Sequence, residues 1–94
     1  MIIGSLLLEL FIPTSHSLKD KRSVVKSILQ RLRNEFNVST AEVDQQDRWQ
    51  VAVLGVACVS SDRQYAHQQL QAVVEWVYNN RPDLEVSRAD IEIL

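Results

Sequence analysis

Alternating hydrophobic and polar positions open the chain and predict a β-strand. Every second residue from Ile2 to Ile12 is apolar or glycine, while the positions between them mix apolar residues with Ser5 and Glu9. A two-residue period indicates a strand with one face in the hydrophobic core. Pro13 ends this strand, because proline has no backbone N–H for the sheet.

A helical period follows and predicts a helix from about Leu18 to Glu35. Ser17, followed three residues later by Asp20, resembles a capping box with Asp in place of the usual Glu. Apolar residues then recur every three or four positions, which forms a stripe along one side of a helix. They are Leu18, Val25, Ile28, Leu29, Leu32 and Phe36.

Two further strands, a second helix and a last strand complete the pattern. A polar turn at 44–47 separates a strand around 38–43 from the apolar run Trp49 to Val59, which is typical of a strand covered on both faces. A second helical stripe covers about Asp62 to Asn80, and alternation within Leu84 to Leu94 predicts the final strand.

This order of elements predicts an α+β fold, the ferredoxin-like βαββαβ sandwich, with a four-stranded antiparallel sheet and two helices on one face. Right-handed crossovers would place the first and third strands in the centre. The 94 residues suffice for one domain, residues 1–94, and leave no room for a second catalytic domain. A composition with 46% hydrophobic and 23% charged residues is that of a globular chain.

Charge and cysteine usage narrow the partners and the location. The net charge of -2 attracts the protein neither to nucleic acid nor to an anionic membrane, so such binding would need a local patch. Cys58 is the only cysteine and cannot form an internal disulfide, which fits a reducing cytoplasm. The apolar start contains Glu9 and lacks the features of a secretion signal, and no run approaches the ~18 apolar residues of a membrane span. We therefore expect a cytoplasmic protein that is not integral to a membrane.

Three segments resemble a known family. They are Pro13–Arg22, Phe36–Gln50 and Leu54–Ser60, and their most distinctive parts are residues 16–22, residues 41–44, Asp47 and Trp49. Over essentially its whole length, the chain closely resembles the YlxP-like family of small bacterial proteins of unknown function, whose members usually show Glu at the position of Asp20. The resemblance implies a ferredoxin-like fold and provides no functional residues to transfer. Genes of the family are often neighbours of translation and ribosome-maturation genes, which is an association and not a mechanism.

The first helix carries the candidate nucleic-acid-binding residues. Its N-terminus favours an anion, because the first backbone N–H groups lack partners and the helix dipole is positive there. At about 100° per residue, four of its cations fall within roughly 60° of one another. The full candidate set is Lys19, Lys21, Arg22, Lys26, Arg33, His16 and Ser17. The alternative is that these are solvated charges beside a buried stripe, and that His16 only helps to cap the helix. Basic residues in the first turn oppose the helix dipole, at a cost of about 0.3 to 1 kcal/mol each in helix stability. Stability therefore does not account for these residues, and this slightly favours an anion-binding role.

Metal, cofactor and catalytic sites are not predicted. His16, His67 and Cys58 have no recognisable ligand spacing. Glu42, Asp44 and Asp47 would suit a magnesium site of a nuclease, but Asp is also a favoured turn residue, and the turn interpretation ranks well above the catalytic one. A Gly-rich phosphate loop is missing as well.

The sheet face away from the helices is a second candidate surface. Ile3, Leu7 and Phe11 would join apolar residues of the third strand there, which favours an interface, most simply a twofold homodimer. Scattered surface apolar residues are the alternative. Tyr65, Ala72 and Trp76 would extend the interface, although Trp76 suits the core equally well. Base stacking on this face is not expected, because Phe11 and Trp49 are the only aromatic residues of these strands and lie near their ends.

Three functions follow from these features. We expect a non-catalytic protein that binds structured RNA or a ribosome-assembly intermediate through the basic flank of the first helix. The alternative is a protein-interaction module that uses the open sheet face to bind a second copy or a translation factor. A small hydrolase or nuclease that uses Asp44 or His16 ranks third.

Overall fold

The fold is built from six elements in the predicted order. The computed structural model describes residues 1–94. Its elements are β1 (Ile2–Phe11), α1 (Leu18–Glu35), β2 (Ser39–Asp44), β3 (Val51–Ser60), α2 (Arg63–Asn80) and β4 (Glu85–Ile93). The four strands form one antiparallel sheet in the order β2-β3-β1-β4. The structure therefore confirms the ferredoxin-like fold and the central position of the first and third strands. Neither helix is long and apolar enough to cross a membrane.

The hydrophobic core lies between the sheet and the two helices. α1 packs over β2, and α2 packs over β1, β3 and β4. Alternate residues of the central strands point toward the helices, so Leu8 and Leu54, which are partners in the register of β1 and β3, are both fully buried. The helices contribute Val25, Ile28, Leu32, Leu70, Val73 and Val77 to the same cluster. The predicted two-residue and helical periods therefore meet in one core.

Gly4 allows α2 to approach β1 closely. A Cβ atom at this position would lie 2.9 Å from Leu70 Cδ1 and 3.3 Å from Cys58 Sγ, closer than packed side chains normally come. A larger residue here would have to displace the side chains of Leu70, Cys58 and Ile93.

The turn between α2 and β4 is closed by an ion pair. The Arg81 guanidinium donates two hydrogen bonds to the carboxylate of Asp83, at 3.0 and 2.9 Å. These bonds, reinforced by the positive charge of Arg81, hold the pKa of Asp83 below its ordinary value of 3.8. Arg81 also contacts Ser27 Oγ at 3.4 Å, so the same side chain joins the end of α2 to α1.

An irregularity in the sheet positions the end of β2. Glu42 is the register partner of Leu54 and Asp44 is the partner of Val53, so Val43 is an extra residue in β2. Glu42 therefore shares the helix-facing side of the sheet with Leu54, and Asp44 shares the open side with Val53.

Candidate nucleic-acid interface

A groove between α1 and β2 brings three of the predicted cations together. Arg22, Lys26 and Arg33 line it, and it encloses about 250 Å³. The three residues lie on one side of α1 because they are four and seven positions apart, which is close to whole turns of a helix. Val25 and Leu29 form the apolar part of the lining. We call this feature the basic groove.

The cations of the basic groove are not neutralised by carboxylates. Arg22, Lys26 and Arg33 take part in none of the ion pairs of the structure, and the same is true of Lys19, which is exposed one turn earlier on α1. Arg33 donates one hydrogen bond to the backbone oxygen of Thr40, at 2.9 Å, which holds its guanidinium against β2. A guanidinium has five N–H donors, so Arg33 can be held in place and still bind an anion.

One carboxylate, Glu42, also lines the basic groove. Its Oε2 atom lies 2.8 Å from the Nζ atom of Lys21, and the side chain is only 17% exposed. Oε2 accepts no directed hydrogen bond, so the contact is an ion pair held by charge and burial. Because Lys21 offsets the charge of Glu42, the groove keeps the positive charge of its three cations.

Lys21 itself does not belong to the predicted surface. Its side chain is 0% exposed, and the ammonium donates hydrogen bonds to the backbone oxygens of Gln45, at 2.6 Å, and Val51, at 3.0 Å. Lys21 lies on the same side of α1 as the buried residues Val25 and Ile28. The ammonium is therefore a structural tie between α1 and the turn that joins β2 to β3, and it is not available to an external anion.

The N-terminus of α1 is occupied by the chain's own groups. Ser17 Oγ accepts a hydrogen bond from the backbone N–H of Asp20, and Asp20 Oδ2 accepts one from the backbone N–H of His16, both at 3.0 Å. The bond to Ser17 is that of the predicted capping box, whereas the carboxylate of Asp20 reaches one residue beyond the N-cap, to His16. Since the carboxylate of Asp20 already supplies the negative charge that the dipole favours, the structure gives Ser17 and the backbone of His16 a capping role.

Replacing Ser17 with alanine is expected to lower the free energy of unfolding by about 1 kcal/mol, because the N–H of Asp20 loses its acceptor. Urea denaturation measures the change. A variant as stable as wild type would show that Ser17 contributes nothing as a cap.

The imidazole of His16 lies beside the helix start in a shallow hollow. Ser17, Leu18, Asp47 and Trp49 line the same hollow, which encloses about 300 Å³. His16 and Trp49 are both exposed. The sequence interpretation therefore placed His16 correctly at the start of α1. His16 does not line the basic groove, so the structure separates it from Arg22, Lys26 and Arg33.

Asp44, the last residue of β2, begins the turn to β3, in agreement with the turn interpretation of the acidic residues. Asp44 Oδ1 accepts a hydrogen bond from the backbone N–H of Gln45 at 2.8 Å, and the backbone of Arg48 closes the turn on Gln45. Gln45 has a φ of 56°, the left-handed conformation found in tight turns. Glu42 lies on the helix side of the sheet and Asp44 on the open side, so the two carboxylates point away from each other.

The open face of the sheet carries the predicted apolar residues. Leu7 is 38% exposed, and Ile3 and Phe11 are half-buried beside it on β1. Val59 and Val43 extend the apolar surface onto β3 and β2, with exposures of 63% and 49%. In its middle, a hollow of about 400 Å³ has small residues in its lining, among them Ser5, Ala41, Gly55 and Ala57.

The residues of α2 do not extend this surface. α2 packs on the opposite side of the sheet, so Tyr65, Ala72 and Trp76 cannot join the open face. Trp76 packs against the hydrophobic core, and the guanidinium carbon of Arg31 lies 5.4 Å from the centre of its ring. That distance is within the range of a cation–π contact, which links α1 to α2.

Comparison with known proteins shows which family the chain resembles. The family model described as "Protein of unknown function (DUF503)" matches residues 3–91. The chain belongs to this family. It is 42% identical over 84 residues to "Uncharacterized protein YlxP" of Bacillus subtilis (strain 168), an alignment that covers 89% of this chain and 90% of the relative. The resemblance drawn from the sequence motifs is thus confirmed.

The most distinctive motif of the DUF503 chain now has a structural interpretation. In residues 16–22, Ser17 and Asp20 cap α1, Lys21 is buried, and Arg22 begins the basic groove. The sequence interpretation missed the role of Glu42. The two-residue period of β2 is the signal that could have placed its side chain. Thr40 is buried on the core side of the sheet, and Glu42 follows two residues later on the same side.

Proposed function

We propose that this protein is a non-catalytic nucleic-acid-binding protein that contacts structured RNA, or an RNA-containing ribosome-assembly intermediate, through the basic groove. The observation that carries the proposal is the clustering of Arg22, Lys26 and Arg33 along one groove without a carboxylate partner for any of them. Three unpaired cations in one place attract a ligand with several negative charges.

The spacing of the cations suits a phosphate backbone. With a rise of 1.5 Å per residue, Arg22 and Lys26 are about 6 Å apart along α1, and Arg33 lies about 10 Å further on. Nucleic-acid strands present a negative charge at every few ångströms along their axis, so one strand could supply a phosphate to each cation. The open groove has no aromatic residue in its lining, and this favours backbone contact over base stacking.

The charge distribution of the chain predicts how strongly binding depends on salt. The whole molecule has a net charge of -2, so long-range attraction is weak and the local cations supply the affinity. Three phosphate contacts correspond to a slope of about -2 to -3 in log affinity against log salt concentration. We expect micromolar dissociation constants, weak sequence preference, and binding that disappears well above physiological salt.

Filter binding to ribosomal RNA at low salt tests the proposal. Replacing Arg22 and Lys26 together with glutamate should weaken binding by about 100-fold and reduce the salt slope, because two cations become repulsive charges. The two side chains are exposed and have no partner within the protein, so the fold should be unaffected. The control, Arg48→Glu with Arg63→Glu, makes the same change in net charge at two other exposed arginines and should bind within about threefold of wild type.

Two results would contradict the proposal. One is equal binding by the groove variant and the control, which would indicate that only net charge matters. The other is equal affinity for polyglutamate and RNA at the same salt concentration, which would assign the groove to acidic polypeptides.

A further inference from the structure

The open face of the sheet provides a second, separate inference. We propose that two copies of the chain form a twofold dimer in which their open sheet faces stack, with the symmetry axis parallel to the strands and passing between β1 and β3. The basic groove lies on the other side of the sheet, so this inference is independent of RNA binding.

The size of the face favours a partner that is itself a sheet. With strands about 4.8 Å apart and about 3.4 Å per residue, the four strands present roughly 600 Å². Two such faces would bury about 1,200 Å² in total, the lower end of the range for specific interfaces. A single helix, about 10 Å wide, would cover only about two strands and leave much of the apolar surface exposed. A second copy of the chain has a face of the required width, which is mainly apolar on β2, β3 and β1 and charged along β4.

The register of β1 and β3 makes this face self-complementary. A twofold axis parallel to the strands and midway between β1 and β3 places each β1 over the partner's β3 at the same height. Leu7 and Gly55 are register partners, so Leu7 of each copy would lie over Gly55 of the other. Val43 packs across Gly55, since a Cβ atom there would lie 2.9 Å from Val43 Cγ1, and Leu7 lines the same hollow as both residues. Leu7 of each copy would therefore make an apolar contact with Val43 of the other. An axis perpendicular to the strands through this row would instead place Leu7 against Leu7 and one hollow against the other.

Charge favours the axis parallel to the strands, because the perpendicular axis would place β4 of each copy, with Asp90 and Glu92, over the same strand of the other copy. The axis places β4 of one copy over β2 of the other. Arg88 pairs with Glu9 in the register of β1 and β4, Glu9 with Val53, and Val53 with Asp44, so the four residues form one row across the sheet. Arg88 of each copy would therefore face Asp44 of the other. Asp90 and Glu92 would lie over Ala41 and Ser39, which carry no charge.

One carboxylate lies within the apolar area and needs a partner. Glu9 would face Val53 of the other copy, and an unpaired buried carboxylate would be unfavourable. Arg88 is its neighbour across β1 and β4, and it already contacts Asp90 at 2.5 Å. The guanidinium of Arg88 can therefore serve carboxylates of both copies at the edge of the interface.

Sedimentation equilibrium of the full chain measures the mass of the species in solution. Concentrations from about 1 to about 500 μM cover the range in which a small interface should dissociate. We expect wild type to reach twice the mass of one chain within it. Leu7→Lys should raise the dissociation constant at least about 100-fold, because each dimer loses two buried leucines and gains two buried charges. Tyr78→Lys, at an exposed aromatic residue on α2, is the matched control and should change it less than about twofold.

A double-mutant cycle tests the position of the axis. Arg88→Ala should weaken the dimer about tenfold in the wild-type background and clearly less in an Asp44→Asn background, where the pair is already lost; asparagine keeps the Oδ1 acceptor for the backbone N–H of Gln45. A wild-type chain that stays monomeric at the highest concentration overturns the proposal. So does a dimer that Leu7→Lys leaves intact, which would place the interface elsewhere, or additive effects of the two substitutions, which would exclude this axis.

Discussion

Replacing Lys21 with methionine is expected to lower the free energy of unfolding by about 3 kcal/mol. Methionine fills a similar volume but cannot donate to the backbone oxygens of Gln45 and Val51, and it leaves Glu42 without a counter-charge. Removing one member of a buried pair is unfavourable mainly because the other remains charged in a poorly solvated place. Urea denaturation monitored by circular dichroism measures the change.

Two further variants separate this explanation from a general effect of losing a lysine. Lys19→Met changes the same residue type two positions earlier, at an exposed site, and should change stability by less than about 0.5 kcal/mol. Adding Glu42→Gln to Lys21→Met should recover part of the loss, because the uncompensated carboxylate is gone. Equal stabilities of the Lys21 and Lys19 variants would show that the buried contacts contribute nothing.

Lys21 also shows where sequence reasoning reached its limit. Lysine is rarely buried, so composition alone assigns it to the surface. Its spacing pointed the other way, because Lys21, Val25, Ile28 and Leu32 follow one another at helical intervals and all four are buried. The partners of Lys21 lie 21 to 30 positions away along the chain, and only the folded sheet brings Glu42 and Val51 to α1.

The elements themselves were predictable from local pattern. The boundaries of α1 match the predicted helix, since Ser17 and Asp20 form a cap that is encoded within four residues. The order of the strands followed from the crossover rule. The extra residue Val43 in β2 was not predictable, because no local composition marks it and its effect depends on the pairing with β3.

The candidate site was predictable only in part. Helical periodicity identified Arg22, Lys26 and Arg33 as neighbours, and the structure brings them to one groove. The bond from Arg33 to Thr40 depends on the approach of β2 to α1. The compensation of Glu42 by Lys21 depends on the same approach, and it increases the net positive charge of the groove. Charge patterns along one helix therefore indicate a surface, and the neighbouring strand changes how strongly charged it is.

The separation of the two candidate surfaces follows from the sandwich itself. Helix-side residues of the sheet are buried by α1 and α2, while open-side residues such as Leu7 and Val59 have no cover within the chain. The two proposed partners would therefore bind on opposite sides of the sheet. Variants on one surface should leave the other unchanged, which allows RNA binding and dimerisation to be tested in the same set of proteins.

Replacing Leu8 with alanine is expected to lower the free energy of unfolding by about 3 to 5 kcal/mol. Leu8 is fully buried, lies on a central strand, and faces the helices beside Leu54 and Leu10. Removal of its side-chain atoms leaves a cavity that both the rigid sheet and the helix layer prevent from closing. Urea denaturation of the monomer, at concentrations below those of dimerisation, gives the value.

Leu7→Ala is the matched control, since it makes the same chemical change one residue earlier on the same strand. Leu7 points to the open face and is partly exposed, so we expect a loss of less than about 1 kcal/mol in the monomer. A difference of several kcal/mol between adjacent leucines would demonstrate the two-residue period of β1 directly. Equal losses would mean that the open face is covered within the monomer, and they would remove the basis for stacking two copies there.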